Sequence, residues 1–145
     1  MNRQNLLLTV SFLFVFVITS NVFSQEMQEN SVTIPEGKAV IYIVRPSSLG
    51  TLAGFKVFVD TTYIGINNGN DFVYAFVDPG KHTVKSKGEN EKTLEVTCED
   101  GKSYYIEQLV QMGLVSARVK MILRDDKVGL EKLNKCKLSK KFKKE

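Results

Sequence analysis

The sequence predicts an all-β fold, an antiparallel β-sandwich of about eight strands with a short C-terminal helix. Three observations carry that expectation. Short apolar runs recur from Gly37 onward, each broken by turn residues. The links between them are short, and short links join antiparallel neighbours because parallel neighbours need long crossovers. Helical spacing of apolar residues shows only near the end, after Asp125.

The chain opens on a segment to set aside before fold reasoning. Arg3 gives a positive start, residues 6–18 (LLLTVSFLFVFVI) form an apolar run, and residues 19–25 are small and polar. This is the plan of a secretory signal peptide, with cleavage expected after Ser24. The run falls short of the ~20 residues that span a bilayer as a helix. The expected boundaries are 1–24 signal peptide, 25–36 flexible lead-in, 37–138 β-sandwich domain and 139–145 basic tail. Arg3 is the only charged residue lost with the leader, so the formal charge falls from +4 to +3. A chain this size buries roughly two-thirds of its unfolded surface, enough for a core of its own.

Residues 39–44 (AVIYIV) have no polar alternate and read as a strand buried on both faces, ended by Pro46. After a loop of small residues, 55–60 (FKVFVD) sets Phe55, Val57 and Val59 on one face, and 63–66 (YIGI) returns. Residues 67–71 (NNGND) form the strongest turn, since Asn and Gly tolerate positive φ. Residues 72–77 (FVYAFV) are a second fully apolar strand. Asp78-Pro79-Gly80-Lys81 reads as a type II turn. It leads into 82–87 (HTVKSK), polar enough to be expected near an edge. Residues 92–98 alternate, with Leu94, Val96 and Cys98 inward. Residues 103–112 form the longest strand, with Tyr104, Ile106, Val110 and Met112 on one face. Residues 118–124 place Val119, Met121 and Leu123 together. Asp125 or Asp126 caps the terminal helix, which Gly129 weakens by about 1 kcal/mol. The last residues, from Lys140, are expected to fray.

Two cysteines, Cys98 and Cys136, fall in the mature chain. In an oxidising compartment they are a candidate disulfide. Closing a loop of about 38 residues would contribute ~4 kcal/mol in the chain-entropy model. Two buried free thiols are the alternative.

Candidates for chemistry are sparse. His82 is the only histidine and has no metal-ligand spacing around it; it reads as a surface strand residue. Asp60, Asp71 and Asp78 stand at strand ends, where they could gather to bind calcium or act as acid and base on a glycan. Turn chemistry already accounts for them. Ser47 and Ser48 lack a nucleophile elbow. Tyr42, Tyr63, Tyr74, Tyr104 and Tyr105 could form a sugar platform, but strands are tyrosine-rich as core. Lys140, Lys141, Lys143 and Lys144, with Phe142, make a basic tail suited to an anionic surface. No catalytic, cofactor or metal residue is assigned.

Several segments resemble a bacterial family, domain of unknown function 2846. They are residues 37–42 (GKAVIY) with 45–48 (RPSS), 57–60 (VFVD) before Ile64-Gly65, and 78–83 (DPGKHT). The match continues through 101–106 (GKSYYI) to 133–138 (LNKCKL). The 78–83 turn is also similar to PEGA-type envelope modules. The resemblance implies an exported β-sandwich envelope protein with no established activity, among relatives that include lipoproteins. This chain departs from those in having no Cys beside the cleavage position. The resulting expectation is a periplasmic or extracellular, non-catalytic module that binds an envelope protein, a glycan or a membrane surface and not nucleic acid. The alternative is a small carboxylate-dependent hydrolase acting on envelope glycans.

Overall fold

A computed structural model of the chain describes residues 30–49, 52–115 and 117–143. The expected leader, 1–24, and Lys144 lie outside them. Nine strands and one helix follow in order. They are β1 (Ala39–Arg45), β2 (Phe55–Val59), β3 (Thr62–Asn67), β4 (Asp71–Val77), β5 (Gly80–Lys87), β6 (Glu91–Cys98), β7 (Ser103–Met112), β8 (Ala117–Arg124), α1 (Asp126–Asn134) and β9 (Lys137–Leu138). The first sheet has the order β8-β7-β1-β4-β9, and the second β3-β2-β5-β6.

The chain builds both sheets by alternating between them. It leaves β1, makes the β2–β3 hairpin in the second sheet, returns as β4, makes β5–β6 and returns as β7. β1 therefore pairs antiparallel with β4 but parallel with β7. The β4–β9 pair is also parallel. The first sheet is thus mixed rather than wholly antiparallel. The rule linking short connections to antiparallel pairing holds for consecutive strands, whereas β1 and β7 are joined through the entire second sheet.

Period-2 alternation sorts the side chains into two cores. Ala39, Ile41 and Ile43 of β1 face the second sheet, where they pack with Val57, Val59, Val84, Val96 and Cys98. Val40, Tyr42 and Val44 face the other way, toward Phe72, Tyr105, Leu133 and Cys136. Every residue of β1 is consequently buried, as its unbroken apolar run predicts. Tyr42 stacks on Tyr105 with ring centroids 5.4 Å apart, so these two tyrosines are core.

Helix α1 lies over this outer face. The Asp125 carboxylate accepts from the Val128 N–H at 3.0 Å, the expected N-cap. Gly129 is required by close approach. A Cβ there would lie 2.3–2.5 Å from Tyr105 atoms, and the stacked ring has nowhere to retreat. Gly129→Ala is expected to lose about 1–2 kcal/mol net, because overpacking outweighs the gain in helix propensity. Thermal denaturation of the variant checks this, and an unchanged or raised midpoint would contradict it.

Four expectations are corrected. β5 is an inner strand, between β2 and β6; its polarity reflects the solvent-facing side of the second sheet, while Val84 and Ser86 point inward. Met112 and Leu123 are exposed rather than inward: Met112 lies where β7 runs beyond the end of β1, and Leu123 stands on the edge strand β8. The lead-in is not detached from Asn30 onward. The Asn30 amide donates to the Leu133 and Cys136 carbonyls at 3.3 and 2.8 Å, and Val32 and Ile34 pack on the outer core. The tail does not fray at Lys140. β9 joins β4, Ser139 Oγ donates to the Ile66 carbonyl at 2.6 Å, and the Lys143 N–H donates to Ile64 O at 2.8 Å. This strap closes the gap between the β4 and β3 edges. Phe142 stacks on Tyr74 at 4.7 Å.

Of the two readings left open for the cysteines, the structure has the free thiols and not the disulfide. Cys98 and Cys136 are both free and buried, in cores on opposite faces of the first sheet. Burial pushes each thiol up to about 11. Both are expected to resist a thiol reagent in the native protein and to react once it is unfolded. A mass unaffected by reductant checks the same point.

Candidate functional site

The sandwich has two chemically distinct ends. At one, the β2–β3 turn, the β4–β5 turn and the start of β1 bring Asp60, Asp78, His82 and Lys38 together. Asp60 adopts φ 53° to make its tight turn. Its carboxylate accepts from the Thr83 N–H at 2.9 Å and contacts His82 Nδ1 at 2.7 Å. His82 Nε2 lies 2.7 Å from the Asp78 carbonyl, and Lys38 Nζ 2.7 Å from the Asp78 carboxylate. These residues rim a recess of about 180 Å³. Asp71 is excluded from the cluster because it begins β4, whose other end leads to Asp78. Only two of the three candidate carboxylates therefore meet. Among the described residues, no group of three or more His, Cys, Asp or Glu could hold a metal ion.

Both partners of the imidazole are acceptors, an arrangement that favours the protonated ring, in which both nitrogens donate. Burial alone lowers the His82 pKa, but the Asp60 and Asp78 hydrogen bonds and charges outweigh it and the net shift is upward. Asp60 is shifted down, first by the His82 hydrogen bond and then by Thr83. A raised histidine stabilises the fold fully below its ordinary value of 6.5 and loses that contribution as pH rises through the folded value. A lowered Asp60 contributes above 3.8 and loses it as pH falls through its folded value. The pair therefore stabilises most between those two ordinary values. Asp60→Asn is expected to lower the His82 titration midpoint seen by NMR and to reduce the stability decline above pH 6.5. An unmoved midpoint would contradict the pairing.

The other end is built around Arg45, the last residue of β1 and fully buried. Its guanidinium donates to the carbonyls of Ala53, Asn67 and Leu49 and lies 4.4 Å over the Phe55 ring. The Asn67 amide donates to Ile43 O at 3.0 Å and to Gln108 Oε1 at 2.9 Å, and Gln108 Nε2 donates to Ser86 Oγ at 2.7 Å. This polar chain crosses between the sheets and holds the β1–β2 connection from below.

Because β1 and β7 run parallel, the β1–β2 and β7–β8 connections leave from this same end. The β5–β6 turn clamps the second of them. Glu89 accepts from the Leu114 and Val115 N–H groups at 3.3 Å each, and Asn90 exchanges two hydrogen bonds with Val119 at 2.7 and 3.0 Å. Between the connections lies a cleft of about 340 Å³, lined by Ala53, Phe55, Lys56, Lys87, Glu89 and Ala117 among others. Around it stand Leu49, Leu52, Met112, Leu114 and Val115. They are five of the eight large apolar side chains exposed among the described residues, at 58–102% of full exposure. Lys56 and Lys120 are exposed beside them and make no ion pair among the described residues, whereas Lys87 and Arg118 meet Glu91 and Glu89 loosely at 3.8 and 3.6 Å.

Sequence reading missed this end. Its available signal was apolar residues inside stretches otherwise read as loop, Leu49 and Leu52 before Gly54 and Leu114 with Val115 after Gly113. The tail residues Lys140, Lys141 and Lys143 are exposed along the strap, on the flank rather than at either end.

The fold and its ends define a small two-sheet β module with no recognisable reaction centre among the described residues. Over residues 35–120 the sequence matches the family described as proteins of unknown function, DUF2846. The chain belongs to that family. It is also 26% identical over 103 residues to an uncharacterized protein of Haemophilus influenzae, covering 68% of this chain and 61% of that one. It thus spans less than two-thirds of the length of the curated relative it matches. Among the described residues no helix is long and apolar enough to cross a membrane.

Proposed function

We propose that this chain is an exported, non-catalytic module of the bacterial envelope that binds a partner through its Arg45 end. The observation that carries the reading is the concentration of exposed aliphatic side chains on two connections, with backbone groups of Leu49, Ala53, Leu114 and Val115 tied by hydrogen bonds. Ordering backbone costs conformational entropy, and the Glu89, Asn90 and Arg45 bonds already order the backbone that carries these side chains. Solvent-exposed aliphatic groups grouped in this way mark interaction sites. The apolar run at residues 6–18 supports the exported location.

Two measurements test it. N-terminal sequencing of the chain from producing cells is expected to begin at Gln25, and an intact Met1 in the cytosol would overturn export. A photo-crosslinker at Leu114 is expected to form adducts in the envelope fraction that one at Lys102, at the opposite end, does not. Equal labelling from both positions, or none, would overturn the assignment of the binding end.

The hydrolase alternative draws on Asp60 and Asp78 sharing one recess. The carboxylates' partners speak against it, since the His82 hydrogen bond lowers Asp60 and Lys38 lowers Asp78, whereas a general acid needs a raised carboxyl. Hydrolysis of an envelope glycan that Asp60→Asn abolishes would reinstate it.

A further inference from the structure

We infer that the partner at the Arg45 end is an anionic phospholipid surface, into which Leu49, Leu52, Met112, Leu114 and Val115 insert. The inference rests on the binding-end reading above and names the chemistry of its partner. Three observations favour lipid over protein.

The first is shape. These side chains stand exposed at the end of the sandwich from which both connections leave, and a fluid phase takes up such groups without a matching contour. The second is composition. The exposed groups are all aliphatic or thioether, while protein-binding hot spots draw on Trp, Tyr and Arg in well-packed pockets. Aliphatic side chains gain mainly by transfer into an acyl phase. The third is charge. Lys56, Lys87, Arg118 and Lys120 sit just behind the tips, on β2, β5 and β8. Of the carboxylates nearest them, Glu89 is engaged with the Leu114 and Val115 amides and with Arg118, and Glu91 with Lys85 and Lys87. Without the leader the chain carries a formal +3. An apolar tip with a basic collar is the pattern of a peripheral anchor, with hydrocarbon contact at the centre and headgroup phosphate around it. The cleft between the connections, with Lys56 and Lys87 on its wall, gives one headgroup a place to sit.

The site differs from the basic tail, whose lysines lie on the flank strap. A tip-down orientation directs the His82 end away from the bilayer.

Co-sedimentation with vesicles, using the protein as purified from its producing cells, decides the matter. Binding is expected to phosphatidylcholine vesicles containing phosphatidylglycerol, weaker to phosphatidylcholine alone, and to fall as salt rises. Leu114→Trp is expected to show a blue-shifted emission on adding the anionic vesicles. The triple variant Leu52→Ser, Leu114→Ser, Val115→Ser is expected to bind at least about tenfold more weakly with an unchanged melting midpoint, because these residues pack against nothing in the core. Glutamine at Lys140, Lys141 and Lys143 is expected to leave most binding intact. Full binding by the triple variant, or loss on changing the tail alone, overturns the insertion. Failure to bind either vesicle while the Leu114 crosslinker still captures one partner overturns lipid but leaves the binding end standing. Failure of both removes both. A concentration-dependent dimer that the triple variant abolishes would assign the tip to a second copy of the chain and overturn lipid as well.

Discussion

Replacing Arg45 with Met is expected to destabilise the domain by about 3–5 kcal/mol, a large share of the 5–15 kcal/mol typical of a domain. Met fills much of the same volume, so the loss comes from polar groups rather than from a cavity. The guanidinium serves three carbonyls on two segments, Leu49 and Ala53 of the β1–β2 connection and Asn67 at the end of β3. All three would lose a charged donor. Asp71, opposite Arg45 in the β1–β4 register and itself buried, would lose the cation that compensates it. Burial lowers the Arg45 pKa and Asp71 opposes that shift, which shows how strongly the site is desolvated. Arg45→Lys keeps the charge but not the planar fork, and one ammonium cannot reach all three carbonyls while lying over Phe55. It is expected to recover only part of the loss. Urea denaturation of the three proteins gives the order wild type, Lys, Met. Equal stability of Lys and wild type would mean that charge alone is needed. The consequence extends to binding, because the same bonds hold Leu49 and Leu52 in position.

Arg45 also shows why part of the molecule could be read from its sequence and part could not. The unbroken apolar run of β1 announces a strand covered on both sides, and the structure supplies the second sheet and α1 as its two covers. Turns were equally legible, since Asn70 at φ 61° and Gly101 at φ 73° take the backbone conformations their residue types favour. Hairpin boundaries, the Asp125 cap and the terminal helix follow from local chemistry of this kind. What local chemistry does not encode is which strands meet across long separations. The β1–β7 parallel pair joins residues some 60 positions apart, and no periodicity within either segment records the partner. β9 is two residues long, too short for any pattern, and is held by contacts to β4 and β3 rather than by propensity.

The two ends illustrate the same division. Asp60, Asp78 and His82 were visible as turn and strand-start residues, but their convergence depended on the pairing of β2 with β5. The separation of Asp71 from them follows from β4 running between the two ends. The Arg45 end depended on the parallel β1–β7 pair, which alone brings Leu49 and Leu114 to one side. The choice between a disulfide and free thiols at Cys98 and Cys136 stayed open for a related reason. An even count in an exported chain favours pairing, but alternation along β6 sends Cys98 into the inter-sheet core, while the turn after α1 sends Cys136 under the helix.

Glu107→Ala is expected to cost about 3 kcal/mol or more and to loosen α1 from the sheet. Glu107 is only 3% exposed, yet it lies in the middle of β7 on the face that α1 covers. One carboxylate oxygen accepts from Arg124 Nε and Nη2 at 2.7 and 2.6 Å, and the other meets Lys132 of α1 at 2.9 Å. The two cations come from different elements, β8 and α1, so the carboxylate ties edge strand, inner strand and helix at one point. Truncation would leave both cations without their shared partner in a half-buried setting. Glu107→Gln keeps the shape and one acceptor but gives Lys132 or Arg124 an amide N–H to face, and should fall between alanine and wild type. Helix packing on the β1 outer face is thin beyond this tie, resting on Leu133, Leu130 and the Gly129–Tyr105 contact. Amide exchange should therefore quicken in α1 before it quickens in β1 or β4, which both sheets protect. Uniform quickening across the domain would show instead that the helix and the sandwich unfold as one unit. No change in α1 would remove Glu107 as its anchor.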